Sequence, residues 1–427
     1  MSRPSFVFIL ADDLGYADLG CYGGRVACSP HLDRLAAEGV RFTDGYSNSP
    51  VCSPTGFALA TGRYQYRLRG AADEPIASRT SRGSPVLGLP PAHPTLASLL
   101  RNAGYATALV GKWHLGFPPH FGPLKSGYQE FFGPMSGGVD YFTHCDSGGT
   151  HDLYDGEAQA RREGYLTDLL SERAVQFVRK QKGKPFLLSL HYTAPHWPWE
   201  AREDAAESRR IANIAHTDGG SVETYFTMVR QMDEGIGRVL AALEEAGARE
   251  DTIVVFTSDN GGERFSDTWP LVGKKMDLLE GGIRVPCIAR WPRRLPAGRT
   301  SAQLAITMDW AATFLEAAGV DPHPDYPLDG VSLLREHRQR ELFWRMKFRA
   351  QKAVRAGDWK YLSIEGDEFL YDLSRDARER ANLKQRHPER FETLRARYHA
   401  WEATMPGIPE DAKVSLVTSK ATLAQPS

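Results

Sequence analysis

The sequence predicts an α/β fold: a doubly wound, mostly parallel sheet followed by a smaller α+β carboxyl-terminal subdomain. Three observations point there. First, the runs Phe6–Leu10, Ala106–Val110, Phe186–Leu190 and Thr252–Thr257 are brief, apolar and bounded by Gly, Pro or charged residues. Unbroken apolarity of that length suits strands buried on both faces of a parallel sheet. Second, helical patterns alternate with these runs, the order that a doubly wound sheet requires. Third, after about residue 336 the texture changes to short strands and charged helices. We therefore expect a large domain over residues 1–336, a subdomain over 337–410 and a polar tail over 411–427. A chain of 427 residues is too long for one core of usual size, which agrees with a division.

In chain order, Phe6–Leu10 predicts the first strand. Pro30–Glu38 predicts a helix with Ser29 as N-cap, Pro30 in the first turn and Gly39 past the end. Cys52-Ser53-Pro54 opens a helical pattern that ends at Gly62. Pro94–Ala103 stops at Gly104, Leu166–Lys182 at Gly183, and the longest, Val222–Ala246, at Gly247. Three stretches break the pattern: Ser78–Pro94, the Gly-rich Gly133–Thr150, and the charged, irregular Trp199–Ser221. Long loops in compact domains are often functional lids, though plain surface insertions also occur.

Composition narrows the partners. Lys and Arg number 52 against 53 Asp and Glu, a balance that argues for neither nucleic acid nor a membrane. No apolar run approaches the roughly 18 residues of a membrane span. The start, Met1-Ser2-Arg3-Pro4, leads into a short apolar stretch without the features of a signal peptide, so a cytoplasmic location is expected. Five cysteines (21, 28, 52, 145 and 287), an odd count without tight spacing, favour free thiols. A homo-oligomer is left open.

Ligand sites in open α/β sheets form at the carboxyl ends of the strands. There the sequence places Asp12-Asp13, Lys112 with His114, His196, and Asp259-Asn260. A lone Asp-Asp is as readily an acidic turn, and Asn260-Gly261 is a turn signal. Together, however, they offer an all-oxygen site, which selects Ca²⁺, Mg²⁺ or Mn²⁺ over zinc. Lys112 and His114, two apart in extended chain, point the same way. His196 sits between prolines, while His191 is the weaker candidate. Cys52 opens a helix, where backbone N–H groups favour an anion, although a buried structural Cys there is common. Tyr141, Phe142, Trp197 and Trp199 are candidates for stacking on a substrate ring or, equally, for packing.

These residues resemble the sulfatase family of the alkaline-phosphatase-like superfamily. Leu10-Ala11-Asp12-Asp13-Leu14-Gly15-Tyr16, Cys52-Ser53-Pro54-Thr55, Gly111-Lys112-Trp113-His114-Leu115-Gly116, Ala194-Pro195-His196, Ser258-Asp259-Asn260-Gly261 and Glu280-Gly281-Gly282-Ile283-Arg284-Val285-Pro286 occur in the family's order. Gly357-Asp358-Trp359-Lys360-Tyr361 and Leu370-Tyr371-Asp372-Leu373 look like its carboxyl-terminal subdomain.

The resemblance implies a small-molecule sulfate ester as substrate. It implies a divalent metal, usually calcium, on Asp12, Asp13, Asp259 and Asn260. Cys52 would be converted to formylglycine by a formylglycine-generating enzyme, and a hydroxyl of the hydrated aldehyde would attack sulfur. His196 would protonate the leaving alcohol, and His114 would take the second hydroxyl's proton. Lys112 would hold the nucleophile's oxygen. Lys275, rather than Lys274, would bind the sulfate.

One position departs from the pattern. The family signature Cys-x-Pro-x-Arg ends here in Gly56, where the arginine normally braces the modified residue and is read by the modifying enzyme. Two other readings stand beside this one: a phosphoester or phosphonate-ester hydrolase of the same superfamily, and an inactive anion-binding homologue.

Overall fold

A computed structural model of the chain describes residues 3–211, 214, 219–337 and 339–415. The core is a ten-stranded sheet. Its centre is four parallel strands in the spatial order Thr252–Ser258, Ser5–Ala11, Phe186–His191, Ala106–Gly111, with Glu130–Pro134 parallel beyond them. The four predicted runs thus lie side by side. Antiparallel Cys287–Arg290 flanks one side and antiparallel Leu153–Asp155 closes toward the other edge.

Side chains alternate between two helical layers, as the pleat requires. Val7, Ile9, Val254 and Phe256 pack with the helices Pro30–Ala37, Leu166–Lys180 and Val222–Glu245. Phe6, Phe8, Leu10 and Val255 pack on the opposite face, against Cys52–Thr61, Leu96–Asn102 and Asp309–Ala318. This is the doubly wound fold.

The helix caps differ from expectation in two places. Ser29 makes no capping bond, because its hydroxyl donates to Asp33 and accepts from Gly20 N. Instead Asp233, from the Val222–Glu245 helix, accepts from His31 N at 3.0 Å and Leu32 N at 2.8 Å. A long-range carboxylate thus takes the place of a local cap. The helix expected from Pro94 starts at Leu96, because Thr95 and Ser98 form a capping box.

Beyond the main sheet, Glu341–Met346, Gln351–Ala356, Trp359–Ile364 and Asp367–Asp372 form an antiparallel sheet that carries the helix Pro388–Glu402. Buried charges bind it to the larger body: Lys360 Nζ lies 2.9 Å from Glu280, Glu280 N donates to Glu379 at 2.7 Å, and Arg355 lies 3.0 Å from Asp44. The tail expected from 411 is in part ordered against the body. Glu74 N donates to Lys413 O and Ser415 N to Glu74 O, each at 2.9 Å. Residues 416–427, like 212, 213 and 215–218 of the irregular Trp199–Ser221 stretch, lie outside the described residues.

All five cysteines are unpaired. Among the described residues no helix is long and apolar enough to cross a membrane.

Candidate active site

The predicted residues converge at the carboxyl edge of the parallel strands. Backbone bonds knit the edge first: Asp12 N donates to Ala194 O and Asp259 N to Ala11 O, both at 3.1 Å, and Lys112 N to His191 O at 2.8 Å. Cys52 arrives on the first turn of a ten-residue buried helix, and Lys275 on a loop whose amide donates to Gly262 O. Asp13, His114 and Met276 hold left-handed φ of 64°, 53° and 77°. Non-glycine residues rarely adopt that region, and when they do the surroundings impose it.

Charge at this point is paired tightly. Lys112 Nζ donates to Asp12 Oδ2 at 2.6 Å and Lys275 Nζ to Asp13 Oδ2 at 2.8 Å. Asn260 Nδ2 donates to Asp13 Oδ1 at 2.7 Å, and Asp13 N to Asp259 Oδ1 at 3.1 Å. Burial opposes the ammonium of Lys112, but Asp12, Cys52 and Asp259 outweigh it and hold its pKa above the ordinary value. Lys275 is raised likewise by Asp13 and Cys52. Asp13, though buried, is brought down to about 2 by Lys275 and His196. Asp12 and Asp259 are pushed up to about 7, by burial foremost. Three carboxylates face two ammonium groups, so one negative charge has no cation.

The donor set fits a hard divalent ion. Asp12 Oδ1 and Asn260 Oδ1 are buried without a hydrogen-bond partner. Such atoms are costly unless something binds them. Donor atoms of Asp12, Asp259 and Cys52 lie within 4.8 Å of one another, as do those of Asp12, Asp13 and His196. Oxygen donors carrying excess negative charge suit calcium or magnesium.

The two histidines differ in which nitrogen is free. His114 Nε2 lies 2.7 Å from Ile76 O, and a carbonyl only accepts, so Nε2 carries the proton. Nδ1 is then a buried lone pair without a partner. Burial and then Lys112 lower its pKa to about 3, which keeps the ring neutral. In His196, Nδ1 donates to Trp197 O at 2.6 Å, and Nε2 stands 3.7 Å from Asp13 Oδ2. Burial lowers its pKa to about 4.

Several supporting groups are not apparent from the sequence. Ile76 N donates to Ser53 Oγ at 2.9 Å while its carbonyl orients His114, so one residue positions both the Cys52 helix and the His114 ring. Tyr225 OH donates to Asp18 Oδ2 at 2.6 Å and reaches Asp13 O at 3.3 Å. The Gly-rich stretch has its reason here: a Cβ on Gly137 would stand 2.3 Å from His114 Cε1, and one on Gly138 would stand 3.0 Å from His196 Cε1.

Of the four aromatic candidates, only Trp197 lines the open cleft that contains Cys52, His114, His196 and Lys275. Tyr141 is fully buried and donates to Thr193 O and His196 O, Trp199 is buried against Phe265, and Phe142 packs on Tyr165. His191 lies in an internal cavity behind Cys52, beside Gly56, Leu59 and Leu115, and its Nε2 is unpartnered. Lys274 is exposed, unlike Lys275.

Comparison with known proteins bears on the family and the fold. The chain is 35% identical over 352 residues to N-acetylgalactosamine-6-sulfatase of Canis lupus familiaris, covering 78% of this chain and 65% of that protein's length. It is 27% identical to N-acetylgalactosamine-6-O-sulfatase of Bacteroides thetaiotaomicron, with 91% of each covered. The crystal structure of Ps i-CgsB in complex with k-i-k-neocarrahexaose superposes with a TM-score of 0.82 at 30% identity, covering 94% of this chain and 93% of that one. Residues 269–400 match the model described as N-sulphoglucosamine sulphohydrolase, C-terminal. Residues 4–320, most of the chain and all of the strand edge just described, match the model described as Sulfatase, and the chain belongs to the sulfatase family.

Proposed function

We propose that this protein hydrolyses sulfate esters, with Cys52, as formylglycine, supplying the nucleophilic hydroxyl beside a metal held by Asp12, Asp13, Asp259 and Asn260. The observation that carries the reading is the placement of Cys52. It sits at a helix N-terminus, within 4.8 Å of Asp12 and Asp259 donor atoms and in the field of both Lys112 and Lys275. The metal, a hard divalent ion such as calcium by its oxygen ligand set, would polarise the sulfate oxygens and acidify the nucleophile when bound.

The remaining steps belong to this chain's own side chains. Lys112 and Lys275 offer fixed positive charge to oxygens that become more negative as the ester bond breaks. Their present partners, Asp12 and Asp13, are carboxylates that would hold the cation, which would leave both ammonium groups available to the substrate. His114, its ring held through Nε2–H by Ile76 O, presents a bare Nδ1 to take a proton from the second hydroxyl of the hydrated aldehyde and expel sulfate. His196 faces the cleft with Nε2. Being neutral in the free protein, it acquires the proton for the leaving alcohol as the anionic substrate raises its pKa.

The relatives named N-acetylgalactosamine sulfatases and the neighbour bound to a neocarrahexaose support a sulfated sugar as substrate. Trp197 at the cleft supplies a face for such a ring.

The test is co-production with a formylglycine-generating enzyme, mass measurement of the Cys52 peptide, and turnover of 4-nitrophenyl sulfate and phosphate with and without EDTA. Conversion of Cys52 should accompany chelator-sensitive sulfate turnover that Cys52→Ala abolishes. Converted, metal-loaded protein that cleaves only the phosphate would overturn the proposal.

A further inference from the structure

The rim of the Cys52 cleft carries a cation that neither the catalytic reading nor the packing of the fold uses. Arg79 lines the cleft from the short helical turn Ser78–Ser81. It is exposed, and it has no hydrogen bond or ion pair to any described residue. The turn itself is fixed. Arg82 Nη2, three residues on, reaches Asp146 Oδ2 at 2.7 Å and Asp152 Oδ1 at 3.1 Å, and its guanidinium lies 4.4 Å from the Phe117 ring centroid. Ser81 Oγ donates to Ala77 O. One arginine of the turn is thus consumed in holding it, and the other is left facing the opening.

The acids that hold the turn are not open to Arg79. Asp146 and Asp152 are buried and occupied by Arg82, and among the described residues no carboxylate lines the cleft. The other charged lining residue is Lys275, at the base. The lining also includes the Trp197 ring and the serines Ser78, Ser136, Ser147 and Ser415. An aromatic face, small hydroxyls and a second cation set apart from the reacting centre describe a particular ligand.

We propose that Arg79 is a specificity-determining residue, which pairs with a second acidic group on the substrate. The substrate class is a sulfated sugar that bears a further sulfate or carboxylate, on the same ring or its neighbour. A planar guanidinium suits either group bidentately, so the shared chemistry is the anion. This rests on the sulfate-ester reading above and adds to it a preference among sulfate esters.

The test uses the full, converted and calcium-loaded chain, with kcat/KM measured on four substrates. They are 4-nitrophenyl sulfate, a monosulfated hexosamine, a disulfated hexosamine, and a sulfated hexosamine linked to a hexuronate. With wild type, at least one dianionic sugar should exceed the monosulfated one. Arg79→Gln should cut that advantage by about three- to tenfold, chiefly through KM, with Arg79→Lys in between. The wild-type advantage should also shrink with added salt, as an exposed pair must. The disulfated and hexuronate arms show which acid is read.

An equal ratio of dianionic to monosulfated turnover in wild type and Arg79→Gln would overturn the assignment while leaving the sulfatase reading intact. Failure on every sulfate ester, the aryl one included, would overturn both.

Discussion

Asp259→Asn separates the charge balance of the site from the metal binding proposed for it. Lys112 answers Asp12 and Lys275 answers Asp13, but Asp259 accepts only the Asp13 amide at 3.1 Å. Burial foremost moves its pKa from 3.8 to about 7. That displacement is worth at most about 4 kcal/mol against the ionised form, at about 1.4 kcal/mol for each tenfold in proton affinity. Because the folded pKa is raised, the penalty is absent below about pH 4, grows up to about pH 7 and is complete above it.

At pH 8 in EDTA the asparagine variant should therefore be the more stable protein. Unfolding entropy of about 2 cal/mol/K per residue over this length makes 1 kcal/mol about 1 °C, so Tm should rise by up to about 4 °C. In millimolar calcium the order should reverse. The wild-type carboxylates then gain the binding free energy of the ion, and the variant, short of one charged ligand, gains less. Differential scanning fluorimetry in both buffers reads the crossover without any substrate. A variant less stable than wild type in EDTA, or an equal gain from calcium in the two proteins, would refute the metal assignment.

Two further perturbations test the surroundings. Gly56→Ala should raise Tm by about 1 °C, because alanine is favoured over glycine in a helix by about 1 kcal/mol and the new Cβ meets only the Leu115 side chain, at 3.0 Å. A fall instead would show that Leu115 cannot yield into the cavity beside it. Glu74 has its pKa pushed up to about 7 by burial, against bonds from Lys347 N and Phe348 N. Its ionisation therefore lowers stability progressively from about pH 4.5 to above 7. The stability of Glu74→Gln relative to wild type should accordingly improve by up to about 3 kcal/mol between pH 5 and pH 8, measured by urea titration, and a flat difference across that range would remove Glu74 from the role.

The strand edge is legible in the sequence because its signals are local. Each buried run must be unbroken and apolar, and the polar pair that ends it marks where the chain leaves the sheet. Asp12-Asp13 after Phe6–Leu10 and Asp259-Asn260 after Thr252–Thr257 are read this way. What is illegible is the second partner of each group. Nothing near Ser53 announces that its hydroxyl waits for Ile76 N, and nothing near His31 announces the Asp233 cap, because those bonds exist only once distant segments have docked. Tyr141 and Trp199 fail as ring platforms for the same reason: a core position and a cleft position look alike in a single loop, and only packing separates them from Trp197.

Gly56 shows how these levels combine. The family signature has an arginine there, yet the start of the Cys52 helix is held without it. Ser53 Oγ accepts from Ile76 N, and Thr55 Oγ1 both accepts from Ser49 N at 3.0 Å and donates to Ser49 O at 3.1 Å. The bonds that hold the start of the Cys52 helix thus do not involve residue 56, and Gly56 borders a cavity also lined by Leu59, Leu115 and His191. What the glycine changes is charge. Three carboxylates, two lysines and a divalent ion would sum to one positive charge, where a buried guanidinium would make two. A less positive centre holds the departing sulfate dianion less tightly, but it also attracts an anionic substrate less strongly. Arg79, exposed and without a partner among the described residues, would on the proposal above restore attraction where the substrate enters and leave the reacting centre unaltered. On this chain, positive charge absent from behind the nucleophile is present at the opening, where a second acidic group can select for it.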